Sequence, residues 1–160
     1  VNDPFSGKPV VLLPALNPDV SIIHVHQADV YGNARVFGTG ISHVDCALAS
    51  KRVILSAEEI IETDEFRRDP ARTAIAHFTV DAVVHAPFGA YPGTVQGRYA
   101  SDVKHVVECF GGMMRGDLQP YLEKWVYSVD SHAEMLEKRV GWKNLQALQR
   151  RETIREGYSI

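Results

Sequence analysis

Two histidines separated by one residue, His24 and His26, sit in a run of β-branched residues. Side chains two apart in a strand face the same side, so this pair has the geometry that can begin a zinc site. No cysteine or third histidine stands at suitable spacing, and Asp29 is the one close carboxylate, so no metal site is assigned. A polar residue leaving the carboxyl end of a buried strand and facing a pocket fits better. Glu58 and Glu59 follow the apolar Val53, Ile54 and Leu55. A glutamate directly after a buried strand can serve as nucleophile or general base. It can equally cap a following helix, where its charge complements the helix N-terminus, and spacing alone favours that structural role. His43, His77, His105 and His132 belong to no constellation and read as surface or structural. Asp64, Glu65, Arg67 and Arg68 read as a solvated face.

Other catalytic signatures do not occur. Gly38, Thr39 and Gly40 are too short a match to a glycine-rich phosphate loop and lack the downstream glycine. There is no serine nucleophile elbow, paired CxxC or HExxH.

The elements that must carry these residues follow βαβ grammar. The apolar run from Pro9 to Leu13 closes at Pro14, and the first third reads as β structure. The segment around His24 and His26 is expected to be a strand buried on both faces. A turn at Tyr31, Gly32 and Asn33 lets residues 34–38 return as another strand. Ser42 and Asp45 are candidate caps for a short helix over residues 46–52, feeding a strand at 53–55. Residues 62–73 are charged and broken by Pro70, so they read as a loop with at most a helical turn. A strand at residues 80–86 empties into a Pro/Gly-rich loop, the place where open α/β sheets bind ligands. Beyond Ser101 the period becomes helical. Val103, Val106, Val107 and Phe110 mark one apolar face ended by Gly111 and Gly112. A helix with Pro120 near its start follows, then a capping box at Ser131 and Glu134 whose helix stops at Gly141. A last short helix begins at Trp142 and runs into a basic-acidic tail. The expected fold class is α/β, a mostly parallel sheet with helical crossovers and a helical C-terminal part.

Bulk properties narrow the function. The 160 residues are 45% hydrophobic and 23% charged with net charge −3, an ordinary globular composition. No basic surplus exists for nucleic acid or an anionic membrane, and no apolar run is long enough to span a bilayer. Two cysteines among apolar residues read as reduced thiols and point to a cytoplasmic protein. The chain opens on turn residues without Met, and is expected to be a portion of a larger fold, residues 1–160 forming one domain portion.

Four stretches in series resemble one family. Residues 13–24 (LPALNPDVSIIH) and 27–33 (QADVYGN) look like consecutive segments of the A-type subunits of glutaconate CoA-transferases. Residues 51–60 (KRVILSAEEI) and 80–92 (VDAVVHAPFGAYP) follow in family order. The resemblance is to class I coenzyme A-transferases, and it places this chain in the C-terminal half of an A-type subunit. It implies the NagB/RpiA/CoA-transferase-like fold and transfer of CoA between carboxylates, with coenzyme A as a substrate and no permanently bound cofactor. It also implies a B-type partner subunit in a hetero-oligomer. The glutamate that forms the glutamyl-CoA thioester would lie outside this chain, leaving Glu58 and Glu59 as low-ranking candidates. The expected acyl and CoA pocket uses His26, Gln27 and Asn33 at one strand end, and Phe88, Gly89, Ala90 and Tyr91 at the other. Backbone N–H groups of that loop would serve a developing oxyanion. The family often has histidine at the position of Tyr91, which alters hydrogen bonding and room there. A CoA-thioester ring-opening hydrolase of steroid catabolism on the same scaffold, and a non-catalytic half-subunit that docks a partner, are the alternatives.

Overall fold

The computed structural model describes residues 1–153. Its centre is a four-stranded sheet in the order β2-β1-β3-β4. Strands β1 (Val20–Ala28), β3 (Arg52–Ile60) and β4 (Ala82–His85) are parallel, and the two-residue β2 (Ala34–Arg35) pairs antiparallel with β1. The mostly parallel α/β architecture is therefore as the sequence indicates. Helix α1 (His43–Ala49) makes the crossover from β1 to β3.

The central strands form because β-branched residues alternate on a pleat. Ile23 and Val25 of β1 and Val53, Leu55 and Ala57 of β3 are nearly inaccessible and make one core with Ala47 of α1 and Ile75. Burying such side chains is worth about 1.5–3 kcal/mol each for the larger ones. Burial is one-sided near the start of β1, where Val20 and Ile22 are exposed, so the expectation of a strand covered on both faces does not hold along its whole length. Residues 9–13 form no strand; Val11, Leu12 and Leu13 are exposed, with one isolated bridge joining Asn2 to Pro9.

Several boundaries move for identifiable reasons. The α1 helix begins at His43, so Asp45 lies within it, and Ser42 has φ of 62° with no side-chain cap bond. Strand β3 runs on to Ile60 and contains Glu58 and Glu59, instead of ending before them. Helix α2 (Thr63–Arg68) and a 3₁₀ turn (Pro70–Arg72) occupy the segment read as a loop.

Helix α3 (Val103–Met114) passes through Gly111 and Gly112. Gly112 is accommodated against the chain at Asp117, whose carbonyl oxygen would lie 3.2 Å from an added Cβ. The helix is also turned the other way from its pattern: Val103, Val107 and Phe110 face outward, while His105 is buried.

Two π-helical segments extend short helices, α4 (Gln119–Leu122) through Glu123–Tyr127 and α5 (His132–Met135) through Leu136–Val140. Ser131 caps α5 by accepting from the Glu134 N–H at 3.1 Å, but the Glu134 carboxylate accepts from the Asp130 N–H and not from that of Ser131. Gly141, with φ of 81°, ends that helix as expected. Helix α6 (Trp142–Thr153) buries Leu145 and Leu148 against Phe88, Val95 and Tyr99, a second core beside the strand ends. The expected charged tail beyond it lies outside the described residues. Among the described residues no helix is long and apolar enough to cross a membrane.

Candidate functional site

Alternation along the strands places His24, His26, Ser56 and Glu58 on the face opposite the first core. Above that face a cleft of about 300 Å³ opens between β1, residues 36–43 and residues 90–96. Its walls include His24, His26, Phe37, His43, Ala90 and Gln96.

Glu58 is the hub beneath it. Its side chain is 6% exposed. Oε1 accepts from His24 Nε2 and from the Tyr99 hydroxyl, each at 2.7 Å, and Oε2 accepts from the Phe88 N–H at 2.9 Å. Burial opposes its ionisation, but these bonds from His24, Tyr99 and Phe88 outweigh burial and hold the carboxyl below the usual glutamate value. Burial, with the bond to Glu58, pushes the Tyr99 hydroxyl up, so it stays protonated. The same hydroxyl accepts from the Ala90 N–H at 3.1 Å. Glu58 and Tyr99 thus fix the loop that follows β4. Phe88 holds φ of 59°, the left-handed region, in contact with Tyr99 at a ring separation of 4.8 Å.

Each N–H of residues 88–91 already has an internal acceptor. Phe88 donates to Glu58, Gly89 to the Ala86 carbonyl, Ala90 to Tyr99, and Tyr91 to the Phe88 carbonyl. For any of them to serve an oxyanion as expected, one of these bonds would have to open. A turn that closes on itself consumes its donors.

The expected pocket residues separate into several surroundings. His26 lines the cleft: Nδ1 accepts the Phe37 N–H at 3.1 Å, so the ring proton is on Nε2 and donates to the Gln96 carbonyl at 2.9 Å. Burial lowers its pKa and favours that neutral form. Ala90 also lines the cleft. Gly89 lies against His24, whose Cε1 would be 2.6 Å from an added Cβ.

Gln27 and Glu59 face the other side of the sheet. The Gln27 amide and Arg98 both donate to Glu59 Oε2, at 3.0 and 2.6 Å, and these bonds hold the Glu59 carboxyl below its usual range. Asn33 borders a separate hollow of about 410 Å³ beside Phe66 and His77. Its amide locks the turn by donating to Asp29, whose carboxylate also accepts three backbone N–H groups. Tyr91 turns away from the cleft toward Asp102 and His105.

Tyr99, Asp102, His105 and Gln96 are site-shaping residues that no local signal marks. Tyr99 meets Glu58 from 41 positions away and Gln96 meets His26 from 70. Among the described residues no cluster of three metal-ligating side chains occurs. Cys46 and Cys109 are free thiols.

A cleft beside the ends of a mostly parallel sheet lies where open α/β sheets place their ligand sites. A family model described as coenzyme A transferase matches residues 2–86, and the chain belongs to that family. The chain is 38% identical over 140 residues to the A-type subunit of glutaconate CoA-transferase from Acidaminococcus fermentans, covering 86% of this chain and 44% of that protein. It is 45% identical over 158 residues to an uncharacterized protein of Archaeoglobus fulgidus, covering 98% of this chain and 35% of that one. A third relative is the cholesterol ring-cleaving hydrolase IpdA subunit of Rhodococcus jostii, 36% identical over 105 residues, 62% of this chain and 35% of that one.

The crystal structure of the Acidaminococcus fermentans glutaconate coenzyme A-transferase superposes with a TM-score of 0.84 at 36% identity, over 93% of this chain and 47% of that chain. A decarboxylase AibA/AibB variant superposes with a TM-score of 0.62 at 31% identity, over 79% and 46%. The chain thus spans between about a third and a half of the length of these relatives.

Proposed function

We propose that residues 1–160 are the C-terminal half of an A-type subunit that, with a B-type partner, moves CoA between carboxylic acids in the cytoplasm. The observation that carries the reading is the state of the two carboxylates nearest the strand ends. Glu58 is buried with both oxygens engaged by three donors, and Glu59 is tied to Gln27 and Arg98 on the opposite face. With Glu58 closed off in this way and Glu59 pointing away from the cleft, the arrangement supports an acyl-accepting glutamate from outside this chain.

That glutamate's carboxylate attacks the thioester carbonyl and expels CoA thiolate, leaving a mixed anhydride. The thiolate then attacks the glutamyl carbonyl of the anhydride and releases the first carboxylic acid as its carboxylate, leaving a glutamyl-CoA thioester. An incoming carboxylate runs the two steps in reverse and leaves as the new acyl-CoA. CoA enters and leaves as a substrate, with no resident cofactor. In this scheme the cleft walls at His26 and Ala90 shape the acyl site, Phe88, Gly89 and Tyr91 hold Ala90 in place, and Gln27 and Asn33 brace the strand ends around it. The similarity to a glutaconate enzyme supports a short dicarboxylate as one of the acids.

The test uses the complete protein that contains this chain, co-purified with its B-type partner. Incubation with an acyl-CoA and glutaconate should yield glutaconyl-CoA, and borohydride should reduce the thioester intermediate to mark one glutamate. The expected mark is outside residues 1–160. A mark on Glu58 or Glu59 would overturn the assignment, and consumption of water in place of CoA transfer would identify the ring-opening hydrolase.

A further inference from the structure

Helix α3 carries its one buried polar side chain, His105, into a network that the proposed chemistry does not use. His105 is 5% exposed, and its ring stacks on Trp125 at 3.8 Å with an interplanar angle of 22°. Nδ1 is 2.9 Å from the Tyr91 hydroxyl, and Nε2 is 2.7 Å from the Tyr121 hydroxyl. Tyr91 donates in turn to Asp102 Oδ2 at 2.9 Å, where the Asn144 amide also donates at 2.9 Å.

The proton arrangement follows from the acid end. Burial disfavours the Asp102 carboxylate, but the bonds from Asn144, Tyr91 and the His105 N–H hold it below the usual range, so it only accepts. The Tyr91 hydrogen is therefore committed to Asp102, and the Tyr91 oxygen can only accept from Nδ1–H. Burial favours neutral His105, so Nε2 accepts from Tyr121. Asp102, Glu108 and Lys124 are the charged groups that face the ring, and Cys109 faces Tyr121. The 88–91 segment is thereby held twice, by Glu58 and Tyr99 on the cleft side and by this relay on the far side.

We propose that His105 is a positioning residue for the cleft: its Nδ1–H orients the Tyr91 hydroxyl onto Asp102 and so fixes the 88–91 loop, which brings Ala90 to the cleft wall where the acyl group binds. This rests on reading the cleft as the substrate pocket. Two substitutions separate the role from mere packing. His105→Asn places an amide N–H near the site of Nδ1–H, whereas His105→Gln extends past it toward Tyr121.

In the complete enzyme with its partner, His105→Gln should raise KM for the acyl substrate about tenfold with little change in kcat, the pattern of lost binding. His105→Asn should restore KM to within about threefold of wild type. Combining Tyr91→Phe with His105→Gln should add almost nothing to either single change, because both act through one bond. Amide hydrogen exchange, read independently of activity, should accelerate at residues 88–91 in the Gln variant and stay slow in the Asn variant.

Unchanged exchange in His105→Gln would overturn the proposal. So would faster exchange with unchanged KM, or equal KM defects in the Asn and Gln variants. If the wild-type pair transfers no CoA, the functional reading falls, while the exchange data still decide whether His105 holds the wall.

Discussion

Glu58 combines the sequence position of a catalytic residue with full engagement by structural partners. Its sequence position after apolar residues suits a nucleophile, but three donors converge on it and its charge is spent on them. Glu58→Ala would leave buried donors on His24, Tyr99 and Phe88 without an acceptor. The expected loss is about 3 kcal/mol, measured by chemical denaturation of the complete protein. The pH dependence has a definite sign. A carboxyl held below its ordinary value of 4.5 contributes stability that is fully present above that pH and is lost as pH falls through the lower folded value. Acid titration of wild type against Glu58→Gln should show the wild-type excess stability shrinking below about pH 4.5. A constant gap down to the acid limit would mean that Glu58 has the same pKa folded and unfolded, and a gap moving in the wild type's favour on acidification would mean that its folded pKa is raised.

The element that matters most for the site is the loop after β4, and it is only half legible in the sequence. Its place at the end of a parallel strand and its Pro/Gly content can be read directly. Its donors cannot, because whether an N–H is free depends on acceptors brought from Glu58 and Tyr99, remote in sequence. The same limit applies to β3. Glu58 and Glu59 read as past the strand because polar residues usually are, and only the facing His24 and Gln27 make a strand position tolerable there. Sequence proximity places Asn33 beside His26, but its amide is consumed by the Asp29 turn.

A sharp test of the loop is Gly89→Ala. The new methyl would sit 2.6 Å from His24 Cε1 and 2.7 Å from the Ala86 carbonyl oxygen, and one of those neighbours is backbone. Overpacking of this kind costs about 1–3 kcal/mol. Thermal melting of the complete protein should register it as a lower Tm, and Gly97→Ala, where an added Cβ meets nothing within 4 Å, gives a comparison for backbone strain alone at φ of 75°.

At the scale of the whole molecule, the described chain wears much of its apolar surface outside. Val107 and Phe110 on α3 are 63% and 59% exposed, and Ile22 of β1 is 74% exposed. The i, i+3, i+4, i+7 spacing of α3 is plain in the sequence, but which face meets the core is not. Period reveals amphipathicity, whereas the direction of burial is decided by partners such as Tyr91 and Tyr121, which claim the His105 side. The exposed stripe of Val103, Val107, Phe110 and Met114 along α3 is apolar surface of the kind that promotes association in water. Residues 1–160 expressed alone should bind a hydrophobic dye and self-associate by light scattering. The Val107→Asp, Phe110→Asp double variant should reduce both, and no change would show that another surface drives association.

The closed hydrogen bonding of residues 88–91 has a further consequence for the field inside the cleft. Of these four residues Ala90 is the one that lines the cleft, and its amide hydrogen is already given to the Tyr99 hydroxyl. With the cleft as the proposed acyl site, that stretch of wall offers a bound acyl group apolar contact and no hydrogen bond, so stabilisation of a developing negative charge has to come from groups facing it.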